Sequence, residues 1–235
     1  MSNARGIVNS VPVVDNAAML KRLLSKIGRR LAGKPFPGSE QYWIERYESG
    51  RNSGAGSYNE LAAFKAEIIN DFVARHAVDS VIEFGCGDGN QLALAAYPSY
   101  TGFDVSPHAV RLCEERFRGD DTKRFLLIDA YAGETAELTL SLDVVYHLVE
   151  DPVFEAYMQR LFDAARRFVI VYSSNTDVRE EGQAAHVRHR VFTDWVERNR
   201  SDWKLAAHIP NRYPPHASGS SGSLADFYVY ERALG

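Results

Sequence analysis

From residue 78 onward, short runs of apolar residues alternate with stretches whose apolar residues fall three and four apart. The runs at 80–84, 100–104, 124–128, 142–146 and 168–172 are rich in Val, Ile, Leu, Phe and Tyr and predict strands. Between them, the spacing predicts helices over 91–97, 107–117 and 153–165. Strands apolar on both faces, alternating with helices, predict a parallel sheet covered on both sides. A polar stretch at 173–185 is followed by a predicted helix over 191–199 and two strand-like runs, 203–209 and 225–230. "PNRYPPHASGSSGS" joins those two runs with no room for a helix, so the pair is expected to be antiparallel. The expected class is α/β: a doubly wound, mostly parallel seven-stranded sheet closed by a C-terminal antiparallel pair. No internal repeat is present.

The N-terminal part reads differently. Met19, Leu20, Leu23, Leu24, Ile27 and Leu31 recur at helical spacing among Lys21, Arg22, Lys26, Arg29 and Arg30. They predict an amphipathic helix docked on the main domain, in preference to a membrane-surface anchor. "GKPFPGS" breaks that helix with two prolines and two glycines. A short aromatic helix is expected in "EQYWIERYES", then a glycine–serine loop at 50–57, then a longer helix over 59–76. The loop is either a lid over a polar ligand or an idle connector. The organisation expected is an N-terminal helical extension and loop, 1–57, and an α/β domain, 58–235.

Composition narrows the partners. The 235 residues carry a net charge of −4 and a pI of about 6.0, so no overall field attracts a polyanion, and extended nucleic acid is not expected. Only Cys86 and Cys113 occur, too few for a disulfide framework or a zinc ribbon, which fits a reducing compartment. No apolar stretch approaches the ~20 residues of a membrane span, and no signal-peptide core is present, so a cytoplasmic protein is expected.

The chemistry centres on Glu83-Phe84-Gly85-Cys86-Gly87-Asp88-Gly89, placed after the first strand of the sheet. Three glycines in five residues permit a tight turn and let the backbone approach a ligand. In a parallel α/β sheet such a turn lies beyond the carboxyl ends of the strands, where ligands bind. Asp104 ends the next strand, 19 residues after Gly85, positioned to accept both hydroxyls of a ribose. The pair implies a nucleoside-bearing cofactor. A dinucleotide fingerprint reads GxGxxG, but here Asn90 stands at the last position and Glu83 precedes the first glycine. A carboxylate at that place repels a pyrophosphate and suits a cationic, amino-acid-bearing ligand, which favours a sulfonium cofactor over NAD.

E-F-G-C-G-D-G followed by G-F-D-V-S resembles the motifs of class I S-adenosylmethionine-dependent methyltransferases, and the element order from Val78 to Tyr230 is similar to theirs. The resemblance implies S-adenosylmethionine as cofactor. It implies that Glu83, Gly85, Cys86, Gly87 and Gly89 surround the methionine moiety, that Asp104 binds the ribose, and that Val105 flanks the adenine. "LLIDAY" resembles the third motif and places Asp129 and Ala130 by the adenine. "LDVVYHLVED" resembles the fourth and puts Tyr146 and His147 at the lip between cofactor and substrate.

At that lip, His147 is either a general base or a packing residue. His186 and His189, three apart in "AAHVRHRVFTDW", share a face if that stretch is helical and are candidate catalytic residues. With His147, Asp177 or Glu150 they offer a possible divalent-ion set, but polar lining is the reading preferred, and no metal is assigned. Ser173, Ser174 and Asn175 could hydrogen-bond a polar substrate. Trp43, Tyr47 and Tyr213 are expected around the pocket mouth. The function expected is methyl transfer to an O or N atom of a small polar substrate, a sugar or polysaccharide precursor among the candidates. The alternatives are a non-catalytic nucleoside-cofactor-binding protein of the same fold, or an NAD-dependent oxidoreductase.

Overall fold

A computed structural model describes residues 35–179, 181–215 and 222–233; the helix expected over 19–31 lies outside them. Helix α1 (Ser39–Glu48) and a 3-10 turn at Ala55–Ser57 lead into α2 (Asn59–Arg75). The strands are β1 (Val81–Phe84), β2 (Tyr100–Asp104), β3 (Lys123–Leu127), β4 (Ala136–Leu142), β5 (Ala165–Ser173), β6 (Trp203–Ile209) and β7 (Asp226–Arg232). Helix α3 (Pro107–Arg116) joins β2 to β3, α4 (Asp151–Asp163) joins β4 to β5, and α5 (Phe192–Asn199) precedes β6. The sheet order is β3-β2-β1-β4-β5-β7-β6, with β1 to β5 parallel and β7 antiparallel to both neighbours.

The period of two in the strands sorts their side chains onto two cores. Val81, Leu138, Leu140, Ile170 and Tyr172 pack beneath Phe64, Ile69 and Val73 of α2. Ile82, Phe84, Val169 and Val171 face Met158, Leu161 and Phe162 of α4 and Phe192 and Val196 of α5. Full burial of each such side chain contributes about 1.5–3 kcal/mol. Helix α3 starts cleanly, because Pro107 needs no N–H partner and the Ser106 hydroxyl accepts from Ala109 N.

Three expectations are corrected. The fourth strand is Ala136–Leu142, not 142–146. Its Leu138, Leu140 and Leu142 face one core, while Thr139 and Ser141, buried on the other, are hydrogen-bonded: Thr139 Oγ1 donates to Leu161 O at 2.9 Å and Tyr157 OH to Ser141 Oγ at 2.7 Å. Polar residues satisfied in this way made a buried strand look like loop. Asp143, at φ 60°, then stops the strand, and the apolar run behind it turns through Val145–His147. The helix expected over 91–97 is a single 3-10 turn, Leu92–Leu94, with Ala95 already extended. Asn70 on α2 caps its C-terminal end, donating to Leu94 O and accepting from Ala96 N, each at 2.9 Å, and Pro98 disfavours continuation. The stretch carrying His186 and His189 is not helical; Arg188 N donates instead to Tyr146 O at 2.8 Å.

Candidate active site

Beyond the carboxyl ends of β1, β2 and β4 lies a cavity of about 410 Å³. Its floor is the glycine turn. Gly85 and Gly87 have φ of 89° and 61°, in the left-handed region. A Cβ on Gly85 would stand 2.5 Å from Val144 Cγ2, and one on Gly87 would strike the Ser53 hydroxyl and come within 2.9 Å of Tyr47 OH. Both positions therefore require glycine twice over, for conformation and for space. Asp104 secures the turn from β2: Oδ2 accepts from Gly87 N and Oδ1 from Ser106 N, both at 2.9 Å. Burial pushes its carboxyl up to about 6, against these hydrogen bonds.

The next wall is ionic. Glu83 shares its strand face with Val81, so its side chain lies on the α2 side, where Tyr100 OH donates to Oε2 at 2.6 Å. Burial pushes Glu83 up to about 7, opposed by the Tyr100 hydrogen bond and the Lys65 charge. Lys65 of α2 is 0% exposed; its Nζ lies 2.6 Å from Asp143 Oδ2 and 5.2 Å from the Tyr172 ring centroid. Asp143 Oδ1 accepts from Tyr146 OH at 2.8 Å. Gln91 donates Nε2 to Ala62 O at 3.1 Å, and its buried Oε1 has no partner among the described residues.

Helix α1 roofs the cavity with Ser39, Trp43 and Tyr47, spaced i, i+4, i+8 on one face. Gly38 at its start and Gly50 and Gly54 beyond its end have φ of 106°, 76° and 96°. The roof is bolted at two points. Ser39 donates N and Oγ to the two carboxylate oxygens of Glu150 at 3.0 and 2.6 Å, and its Oγ accepts from Val149 N at 2.9 Å. Asp88 Oδ2 accepts from Ser53 N at 3.0 Å and Tyr58 OH at 2.7 Å, while Asp88 N donates to Ser53 Oγ at 3.0 Å.

His147 closes the far end. A carbonyl only accepts, so its contact with His186 O at 3.0 Å places the proton on Nδ1 and leaves Nε2 as a bare acceptor. Burial lowers this imidazole to about 4, keeping it neutral at physiological pH.

Residues 82–170 match the family model described as a methyltransferase domain. The stretch from β1 to β5 is thus similar to a methyltransferase domain. No curated protein matches the chain. Among solved structures it is similar to the N-methyltransferase NodS from Bradyrhizobium japonicum in complex with S-adenosylhomocysteine: TM-score 0.64, 13% identity, 83% of this chain and 98% of that one. It is also similar to magnesium protoporphyrin IX methyltransferase from Synechocystis: TM-score 0.56, 15% identity, 93% of this chain and 100% of that one. The methyltransferase domain of bacterial CtHen1 gives a TM-score of 0.56 at 17% identity over 72% of this chain and 97% of that one. At these identities the structures establish a shared fold.

The motif residues separate into two groups. Glu83, Gly85, Cys86, Gly87, Asp104, Val105, Asp129 and His147 line the cavity. Gly89 faces α3 instead, where a Cβ would lie 2.9 Å from Phe117 and 3.0 Å from Cys113. Ala130 is exposed at the end of the turn after β3. Tyr146 turns toward Asp143 and packs on the α2-side core. His186 backs the ring of His147 at 5.3 Å and stacks on Tyr42 at 4.3 Å. His189 Nδ1 pairs with Ser174 Oγ at 2.6 Å. Tyr213 packs on Phe64 at 6.2 Å rather than at the cavity mouth. Among the described residues no three His, Cys, Asp or Glu groups converge to hold a metal.

The cavity also has wall residues that sequence reasoning missed, chiefly Lys65, Asp143 and Gln91. Lys65 carried a signal: Leu61, Lys65, Ile69 and Val73 recur every fourth residue, so the lysine sits inside a buried stripe. A charge in such a stripe needs a partner or a ligand.

Proposed function

We propose that the enzyme holds S-adenosylmethionine across the glycine turn and moves its methyl group to an oxygen or nitrogen atom of a small molecule that enters beside His147. One observation carries the reading: Glu83, the Gly85–Gly87 turn, Asp104 and His147 line a single cavity in that order of elements. The residues fit the cofactor. The turn is a cradle that a Cβ would fill, and Gln91 Oε1 is an orphaned buried acceptor on the same wall. Glu83 and Gln91 are suited to the cofactor's ammonium and Lys65 to its carboxylate, by charge and hydrogen-bonding type. Asp104, with lone pairs beyond its two backbone bonds, is suited to the ribose hydroxyls, and Val105 and Asp129 to the adenine.

The bound cofactor supplies a methyl group on a positively charged sulfur. The chain's own part is to align the acceptor, exclude water and take a proton. The roof formed by α1 serves exclusion, and His147 Nε2 serves the proton. Buried, unpaired thiols at Cys86 and Cys113 and the modest negative charge accord with work in the cytoplasm on a small molecule.

Calorimetry with S-adenosylhomocysteine and with NAD tests the reading. Micromolar binding of the former and none of the latter is expected, with Asp104→Ala abolishing the heat while the fold survives. NAD binding without S-adenosylhomocysteine binding would overturn it.

A further inference from the structure

This inference rests on the reading above and concerns the methyl-accepting end of the same cavity. Rings gather there in layers. Trp43 meets His147 edge-on at 4.9 Å, His147 stacks on His186 at 17°, and His186 stacks on Tyr42 at 11°. Trp43 and His147 face the cavity, while His186 and Tyr42 back them and hold the imidazole plane in place. Tyr47 adds a third ring, its centroid 5.9 Å from that of Trp43.

The polar groups at this end are few and mostly committed. Ser39 Oγ both donates to Glu150 and accepts from Val149, and Tyr47 OH is shared with Ser53 at 2.9 Å. Leu148, Pro152 and Val153 offer only carbon side chains. Beside the rings, His147 Nε2, the Trp43 indole N–H and the exposed Glu40 carboxylate keep free hydrogen-bonding capacity. A sugar brings several hydroxyls, and each one buried without a partner opposes binding. A flat ring with one hydroxyl or amino group needs a single acceptor and gains ring contacts. The base points the same way. A neutral, weakly basic imidazole assists most where the nucleophile yields its proton readily, and an aromatic hydroxyl, with a pKa of about 10, yields it more readily than an aliphatic one.

We propose that the methyl acceptor is an aromatic hydroxyl or aromatic amine, its ring laid against Trp43 and its heteroatom facing Nε2 of His147, and that Trp43 determines this specificity. The acceptor's lone pair forms the new bond to carbon as the sulfur–methyl bond breaks. The sulfur keeps the bonding pair and becomes a neutral thioether, and the acceptor's proton passes to His147 Nε2 and on to water.

The test uses the full chain. S-adenosylhomocysteine is first titrated by calorimetry; a wild-type protein that fails to bind it overturns the cofactor reading and this inference together. With that binding in hand, catechol, 4-methylphenol, 5-hydroxyindole and 3-aminophenol are compared with glucose, N-acetylglucosamine and UDP-glucose. The readouts are binding to the S-adenosylhomocysteine complex and product mass with labelled S-adenosylmethionine. Binding and methylation of aromatic members alone are expected. Trp43→Ala should weaken acceptor binding at least about tenfold and Trp43→Phe less than about threefold, with S-adenosylhomocysteine affinity within about threefold in both. Methylation of a sugar, no binding of any aromatic member, or unchanged acceptor binding in Trp43→Ala would overturn the proposal while leaving the cofactor reading intact.

Discussion

Replacing Lys65 with methionine isolates the buried ion pair on the cavity wall. The ammonium is 0% exposed and 2.6 Å from Asp143, whose side chain is 11% exposed, so neither charge is well served by water. Methionine keeps most of the volume of the stem and removes only the charge. Truncating one partner of a buried pair typically costs about 3–5 kcal/mol, because the other charge remains without compensation. Asp143 retains Tyr146 OH at 2.8 Å and some solvent, which places the expectation near the lower end, about 3 kcal/mol. Against a total stability of about 5–15 kcal/mol this is a large loss, visible as a shifted urea midpoint at unchanged slope. Adding Asp143→Asn should recover most of it, since the buried charge is gone and asparagine tolerates the φ of 60° at that position. The double-mutant cycle then reports the pair itself. A single variant that loses less than about 1 kcal/mol, or a double variant no better than the single, would refute the argument.

Other consequences follow from the same walls. Glu83 is held up to about 7 and Asp104 to about 6, above their ordinary values of 4.5 and 3.8. Between pH 4 and 7 these two carboxyls hold protons that the unfolded chain has released, while His147, lowered to about 4, acts in the opposite sense; with two groups against one, stability should fall as pH rises, and a rising thermal-unfolding profile there would contradict this. Affinity for S-adenosylhomocysteine should rise over the same window and lose the part of that dependence near pH 7 in Glu83→Gln, leaving the part set by Asp104, as calorimetry at several pH values would show. Gly87→Ala forces a Cβ into the left-handed region at about 1–2 kcal/mol and against the Ser53 hydroxyl, so ligand affinity should drop at least about tenfold. Ser39→Ala removes the hydroxyl that bridges Glu150 and Val149; about 1–2 kcal/mol of stability and a faster ligand off-rate in stopped flow are expected losses.

The sheet and the floor of the site were legible because they rest on local signals. Gly85, Gly87 and Asp104 stand at offsets that follow from a strand, a bend and a second strand, and burial on both faces makes the strands continuous apolar runs. The fourth strand was misplaced because Thr139 and Ser141 are buried with partners drawn from α4, a fact of tertiary packing that no window of sequence carries. Gly89 shows the opposite limit: it belongs to the same motif, yet its lack of a side chain serves the close approach of α3. The ring-lined end, where the proposed acceptor enters, was the least legible. Its rings come from α1 and the β4–α4 turn, more than a hundred residues apart, and two of the three candidate histidines lie behind His147 or to one side of it.

The missing helix after the glycine turn and the loop over that turn have one explanation. Backbone polar groups need partners, and a helix would have supplied them internally. Here the short turn pairs several of them internally, and the 50–57 loop and α2 hold the stretch largely through its side chains. Ser53 and Tyr58 hold Asp88, Ser57 O accepts from Asn90 Nδ2 at 2.7 Å, Ala62 O accepts from Gln91, and Asn70 caps the C-terminal end of the 3-10 turn. The loop at 50–57 is therefore no idle connector. It holds the glycine turn through Asp88 and Asn90, and through Tyr47 and Ser53 it joins that turn to the helix carrying Trp43. The glycine-turn floor and the Trp43 wall of the cavity thus share one hydrogen-bonded segment.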